Sequence, residues 1–447
     1  MSVLDARAQR TVLFGMVAYL ALGAFEALAV STAMPTVAAE LDGMRLYTYA
    51  FSVTSAASVA GMLVAGRWAD RRGPTPPLWT GIALFLSGLV VAGLAPTMDV
   101  LLAGRALQGF GVGLEGVAIY VLVARVFPAE RHPRVFSAFA AAWVVPGVVG
   151  PLVAGLVTQY LGWRWVFLAV PVLAVPALLA LRPGMAAARG GPSSAAQPDP
   201  QPDPQPGPQP DPGTAPDETP PLPVRGLVLA VLRGARGLGA VIASRALASA
   251  AFVGAEVLLP LVLVRERGLG PAFAGTVLTL HVLGWCAGSW VRGRGFRGLS
   301  HAGFLRVGGT LLGTGIAGVA LVTLPAVPLG LALAPWALAG FGMGLAYPTL
   351  SILVLELAPS GAQGVATSAL QVADALAAAL ALAGTGALLW ALYDVVGLPA
   401  YAVCLALAAA LAAGVALLAG RTRPAAVTFT PSAPSRPDEY RSPAPSY

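Results

Sequence analysis

Apolar residues run along this chain in long blocks, each broken by a short polar or charged stretch. The blocks are about 20 residues long, the length a helix needs to cross a bilayer. No water reaches the bilayer core, so every backbone N–H and C=O must be satisfied within the segment, which predicts helices. A β-barrel would show apolar/polar alternation in shorter segments, and none is visible. The pattern predicts an all-α polytopic membrane protein of twelve spans. They fall at 11–36, 47–69, 76–95, 100–125, 135–158 and 163–181, then at 238–264, 271–291, 301–323, 328–356, 363–390 and 396–420.

Composition agrees and adds direction. Of 447 residues 57% are hydrophobic and only 11% charged, with mean hydropathy +0.76. The net charge is +7, yet it does not imply nucleic acid: no Lys is present, and the arginines gather in short loops. Alternate loops are basic, with Arg67, Arg71 and Arg72, then Arg125, Arg131 and Arg134, then Arg292, Arg294 and Arg297; the loops between them hold Glu40, Asp42, Asp99 and Asp394. The positive-inside rule places both termini in the cytoplasm. Cys286 and Cys404 fall inside apolar blocks and read as free thiols. Arg7 and Arg10 precede an apolar run too long for a signal peptide, so the first span is expected to stay uncleaved.

Between the sixth and seventh spans lies QPDPQPDPQPGPQPDPG, 197–213, too Pro-rich and polar to bury a core. It divides the chain into a six-helix bundle at 1–181, a cytoplasmic linker at 182–237, a second bundle at 238–420 and a tail at 421–447. The bundles read as related. GFGVGL at Gly109–Leu114 matches GFGMGL at Gly340–Leu345, and Pro128 and Pro359 follow at the same offset. This internal repeat makes the fourth and tenth spans equivalent, giving two pseudo-symmetric six-helix bundles.

Four stretches then carry a resemblance. GRWADRRG, 66–73, resembles the loop motif G-x-x-x-D-R-x-G of the major facilitator superfamily through Gly66, Asp70, Arg71 and Gly73, with Pro74 and Thr75 where a basic pair is usual. RALQGFGVG from Arg105 resembles the fourth-helix motif R-x-x-x-G-x-G. PGVVGPLVAG resembles the fifth-helix antiporter motif through Pro146, Gly147, Gly150, Pro151 and Gly155, with Ala154 replacing one Gly. EALAVSTAMP, 26–35, resembles the first-helix motif, with Glu26 for the usual Asp. The resemblance covers the chain outside the linker and tail and implies the major facilitator fold. Within that superfamily it points to the drug:proton antiporters, in which the fifth-helix run is thought to prevent leak between the halves.

The same residues have a physical reading of their own. Gly66 and Gly73 permit a tight turn, and Arg71 holds the loop in the cytoplasm. Asp70 needs a partner, and the repeat offers Arg125. In the second half Arg292 stands where Asp70 stands, and Glu356 where Arg125 stands. This sign exchange predicts two cytoplasmic gate pairs, Asp70–Arg125 and Arg292–Glu356, which would latch the cytoplasmic side in one conformation. The plainer alternative is solvated loop charges. Trp163 and Trp165 are expected to anchor the membrane interface.

Ionisable groups inside the membrane are expensive and mark function. The candidates are Glu26, Arg105, Glu115, Glu256, His281 and Asp374. Glu26 and Glu256 sit midway along the first and seventh spans and are expected to face one cavity. Desolvation favours the protonated form of a buried carboxyl group, so such a group can carry a proton or bind a cation. Arg105 either delivers a proton from a carboxylate or serves as a structural donor. Gln108, Gln371 and Tyr347 either line the cavity or pack the core; His281 reads as a hydrogen-bonded helix residue. Together these predict a proton-coupled exporter of amphipathic, cationic compounds, monomeric, in a bacterial plasma membrane, without cofactor. The alternatives are a same-fold transporter of one metabolite, sugar, siderophore or lipid, and a non-transporting receptor. An ATP-driven pump is disfavoured by the missing P-loop lysine, and no metal-ligand or nucleophile cluster suggests an enzyme.

Overall fold

The structure, a computed structural model, describes residues 6–128, 131–190, 235–294, 298–324, 326–358 and 363–423. Its α-helices in the first half are α1 (Ala6–Glu40), α2 (Tyr49–Arg72), α3 (Thr75–Gly93), α4 (Met98–Val126), α5 (His132–Ala141), α6 (Val144–Tyr160) and α7 (Arg164–Gly190). The second half has α8 (Leu238–Leu261), α9 (Pro271–Arg294), α10 (His301–Val319), α11 (Leu329–Leu357), α12 (Gln363–Val396) and α13 (Pro399–Leu418). Among the described residues there is no strand. The Pro-rich run 197–213 and the tail from 424 lie outside the described residues.

Among the described residues eleven helical segments are long and apolar enough to cross a membrane. The remaining expected span, 135–158, is built from two pieces, α5 and α6, parted at Ala142 and Trp143. Pro146 accounts for the break. In the first turn of α6 its missing N–H is harmless, whereas in a continuous helix its ring would strike the carbonyl of Ala142. The sixth span also runs past its expected end at 181, since α7 continues through the Ala-rich stretch to Gly190.

The repeat seen in the sequence is a packing device. A Cβ on Gly109 or Gly113 would collide with the backbone of α2 at Thr54 and Ser58, and one on Gly111 with α3 at Gly81 and Phe85. In the second half Gly340 and Gly344 lie against α9 at His281 and Trp285, while Gly342 lies against α10 at Gly308 and Leu312. Thus α4 and α11 each sit backbone to backbone between two neighbours, the close approach that small residues allow in membranes.

The two halves meet toward the face that carries the 40–48, 161–163 and 265–270 connections, here called the acidic-loop face. The Tyr47 hydroxyl donates to the Val257 carbonyl at 2.8 Å, and the Ser52 hydroxyl to the Ala379 carbonyl at 2.9 Å. Arg45 pairs with Asp394 at 3.0 Å. On the other seam α6 meets α9: the Thr279 hydroxyl donates to the Val148 carbonyl at 3.2 Å. A Cβ on Gly155 would come within 2.6 Å of Ala272 Cα, and one on Gly147 within 2.8 Å of Val282. The Pro146–Gly155 run therefore packs one half onto the other. Trp163 is a correction: it is fully buried and donates its indole N–H to Glu40 at 2.8 Å, so only Trp165, half exposed, stands at the surface. Its neighbour Phe167 meets it edge-on at 6.0 Å and helps seal it inside.

Candidate functional site

A cavity of about 390 Å³ lies between the halves, within the roughly 300–1,000 Å³ typical of small-molecule sites. Its lining extends from Ser31 toward the opposite, basic-loop face, where Tyr19, Ile119 and the exposed Trp143 border it. Its walls are largely apolar, including Leu20, Phe51, Phe85, Val112, Val253 and Leu382. Three carboxylates enter them: Glu26 from α1, Glu115 from α4 and Glu256 from α8.

The side chains on α4 follow from helical spacing. Arg105, Gln108, Val112 and Glu115 recur at intervals of three or four, so one stripe faces the cavity. Arg105 Nη1 donates to Glu26 Oε1 at 2.8 Å and to Gln108 Oε1 at 2.6 Å, and its Nε donates to the Ala50 carbonyl at 3.2 Å. Both members of the Glu26–Arg105 pair are buried, at 5% and 6% side-chain exposure. A buried pair supported by further hydrogen bonds is tolerable where a lone charge is not. Glu115 accepts from the Tyr19 hydroxyl at 2.6 Å. Glu256 differs: among the described residues it makes no hydrogen bond or ion pair, and it faces the cavity directly. The expectation that carboxylates from both halves face one cavity matches this geometry, but Glu26 is already neutralised and Glu256 is not.

Asp374 and Tyr347 stand elsewhere. Arg245 Nε donates to Asp374 Oδ1 at 2.9 Å, its Nη1 to the Ser351 hydroxyl at 3.2 Å, and its guanidinium stacks on the Tyr347 ring. The Tyr347 hydroxyl donates to Asp374 Oδ2 at 3.3 Å. This second buried ion pair ties α8, α11 and α12 together, and neither residue lines the cavity described. Gln371, expected as a cavity residue, is exposed on α12 and does not line it either. Arg245 and Tyr19 are the residues the sequence reading passed over. A lone arginine within the apolar run 238–264 was the available signal for the first; a tyrosine in an apolar helix gives none. His281 is buried against Phe252 and Trp336, with ring centroids 5.0 and 5.3 Å away.

The gate pairs need correction. Arg292 Nε donates to the Thr349 hydroxyl at 2.7 Å, and its guanidinium lies over Phe304. Glu356 meets His301 instead, at 3.3 Å. The reason is register: Thr349 and Glu356 are seven residues apart on α11, about 10 Å at 1.5 Å per residue, so Arg292 sits two turns away. Asp70 and Arg71 are exposed at the end of α2; the Arg125 side chain lies outside the described residues, and so does the Asp70–Arg125 pairing. Gly73, with φ +78°, makes the turn into α3, whereas Gly66 sits inside α2 with open space beside it and takes no part in that turn.

Comparison with known proteins follows the geometry. The Major Facilitator Superfamily profile matches residues 12–382. An uncharacterized MFS-type transporter of Mycobacterium tuberculosis is 36% identical over 156 residues, 33% of this chain and 23% of that protein. Multidrug resistance protein 3 of Bacillus subtilis is 28% identical over 172 residues, 38% of this chain and 34% of that protein. The matched stretches thus span about a quarter to a third of these relatives' length. Among solved structures, an auto-inhibited peptide transporter of the POT family aligns with TM-score 0.68 at 16% identity, over 95% of this chain and 99% of that one. A POT family transporter bound to a thioalcohol-conjugated peptide gives 0.64 at 15%, over 91% and 94%. At such identity the likeness is one of fold. A family match across most of a chain built as two bundles around a cavity identifies this multi-pass membrane protein: it belongs to the major facilitator superfamily.

Proposed function

We propose that the protein is a proton-coupled exporter of amphipathic, cationic small molecules, working by alternating access in a bacterial plasma membrane with both termini cytoplasmic. The observation that carries this reading is the unpaired Glu256 carboxylate in an apolar cavity shared by both halves. A carboxylate without a partner there attracts a cation or a proton but not both at once, while greasy walls tolerate varied shapes. Competition for one group is the simplest basis of exchange. On this topology the basic-loop face is cytoplasmic and the conformation described is inward-facing. Glu26, held by Arg105, is the second acid of the site; Glu115 with Tyr19 supplies a third on the path to the cytoplasm. The Pro146–Gly155 run seals the outer seam between the halves, as its contacts with α9 suggest. The similarity to a Bacillus protein named for multidrug resistance supports the substrate class.

The test is ethidium uptake into inverted membrane vesicles driven by an imposed proton gradient. Wild-type protein accumulates dye and a protonophore collapses the accumulation. Glu256→Gln abolishes it in protein that still folds. No gradient-driven movement of a cationic dye by folded wild-type protein would refute the reading, and full transport by Glu256→Gln would remove Glu256 from its centre.

A further inference from the structure

One short segment of the first half carries an unusual share of the contacts that hold the acidic-loop face shut. Arg45 reaches Asp394, Tyr47 reaches Val257, Thr48 lies against Gly386, and Ser52 reaches Ala379. All four partners belong to α8 or α12 of the other half. These contacts are not of equal weight. The Arg45–Asp394 pair is exposed, with 75% and 54% side-chain exposure, and such pairs contribute little. The Tyr47 bond is fully buried, where an unsatisfied hydroxyl is costly.

The acceptor of that bond is informative. Val257 follows Glu256 directly, on the turn of α8 just ahead of Pro260. Proline lacks an N–H, so the Glu256 carbonyl has no donor four residues on, and this turn of α8 is locally weakened. Beyond it the helix continues as a π-type turn over Val262–Glu266, a feature that often marks functional positions. Tyr47 thus touches the cavity carboxylate's own helical turn from the opposite half.

We propose that residues 45–52 form the gate of the acidic-loop face and that Tyr47 reports the charge on Glu256 to it. With Glu256 neutral, the hydroxyl stays on the Val257 carbonyl and the face stays closed. With Glu256 ionised, the carboxylate competes for the same hydroxyl proton and the latch loosens. The other titratable or charged groups facing this region are Glu26 with Arg105 across the cavity, Glu115 with Tyr19 further along it, and Tyr401, whose hydroxyl donates to Glu266, itself paired with Arg265. The proposal rests on the reading of Glu256 as the group that exchanges proton for cation, but its test needs neither substrate nor gradient.

Tyr160 and Val395 are well exposed on the acidic-loop face in different halves and accept spin labels. Their distance distribution is read by pulsed electron paramagnetic resonance at alkaline pH, in full-length protein carrying Cys286→Ser and Cys404→Ser. Tyr47→Phe keeps the ring and removes only the hydroxyl, and is expected to raise the open-to-closed ratio about fivefold, the equivalent of one net hydrogen bond. Glu256→Gln lowers that ratio when Tyr47 is present and leaves it unchanged in the Tyr47→Phe background. Ser52→Ala raises the ratio without altering the response to Glu256→Gln. Equal effects of Glu256→Gln in both backgrounds would overturn the coupling, and an unmoved distribution in Tyr47→Phe and Ser52→Ala alike would overturn the gate. Absent dye transport, by contrast, would leave these distances untouched and count only against the substrate reading.

Discussion

Each half of the molecule sets a buried arginine against a carboxylate, Arg105 with Glu26 and Arg245 with Asp374, and these two pairs are built differently. In the first half Arg105 donates from Nη1 to Glu26 and Gln108 and from Nε to the Ala50 carbonyl, and the pair forms part of the cavity wall. In the second half Arg245 is stacked on Tyr347 and joined to Ser351 and Asp374, away from the cavity lining. The carboxylates differ most. Glu26 has 5% side-chain exposure and Asp374 has 24%. A pair closed to water is rigid and unforgiving; one with a half-buried carboxylate can exchange its partner for solvent. The first half therefore fixes charge at the site, while the second uses charge to hold helices together and leaves Glu256 free for the cavity.

The sharpest way to break this comparison is to delete each arginine. Arg105→Leu strands Glu26 in an apolar wall and is expected to cost about 3–5 kcal/mol, read as a fall in the thermal unfolding midpoint in detergent; Glu26→Leu in the same chain restores most of it. Arg245→Leu is expected to cost less, about 1–3 kcal/mol, because Asp374 can turn to water, and to retain dye uptake. Equal losses in the two single variants would erase the distinction. Smallest is Tyr347→Phe, which removes one hydrogen bond of 3.3 Å to Asp374 but keeps the ring under Arg245; about 0.5–1 kcal/mol is expected, with uptake unaffected.

Where the physics is local or periodic, the sequence is legible. The apolar blocks mark the helices, and the repeated glycines mark the two helices that pack backbone to backbone. The cavity stripe on α4 follows from spacing, and Glu26 and Glu256 stand out as charges in apolar runs. What depends on which side chains meet across helices is not legible. Arg292 and Glu356 look complementary in the repeat but are two turns out of register. Trp163 looks like an interfacial anchor but finds Glu40 and goes inside. Arg245 was visible as a lone charge, yet only the fold shows that it joins three helices. Tyr19 and Tyr47 carry hydroxyls whose partners, Glu115 and Val257, are 96 and 210 residues away.

The glycine contacts of α4 and α11 also bear on how such a protein can be re-engineered. A helix that touches its neighbours through bare backbone offers no room for any larger residue, so variation at Gly109, Gly111, Gly113, Gly340, Gly342 or Gly344 will be purged whatever substrate is selected for. Leu20, Val112, Val253 and Leu382 carry no such burden. A library confined to those four walls would explore new cargo without touching the framework that presents them.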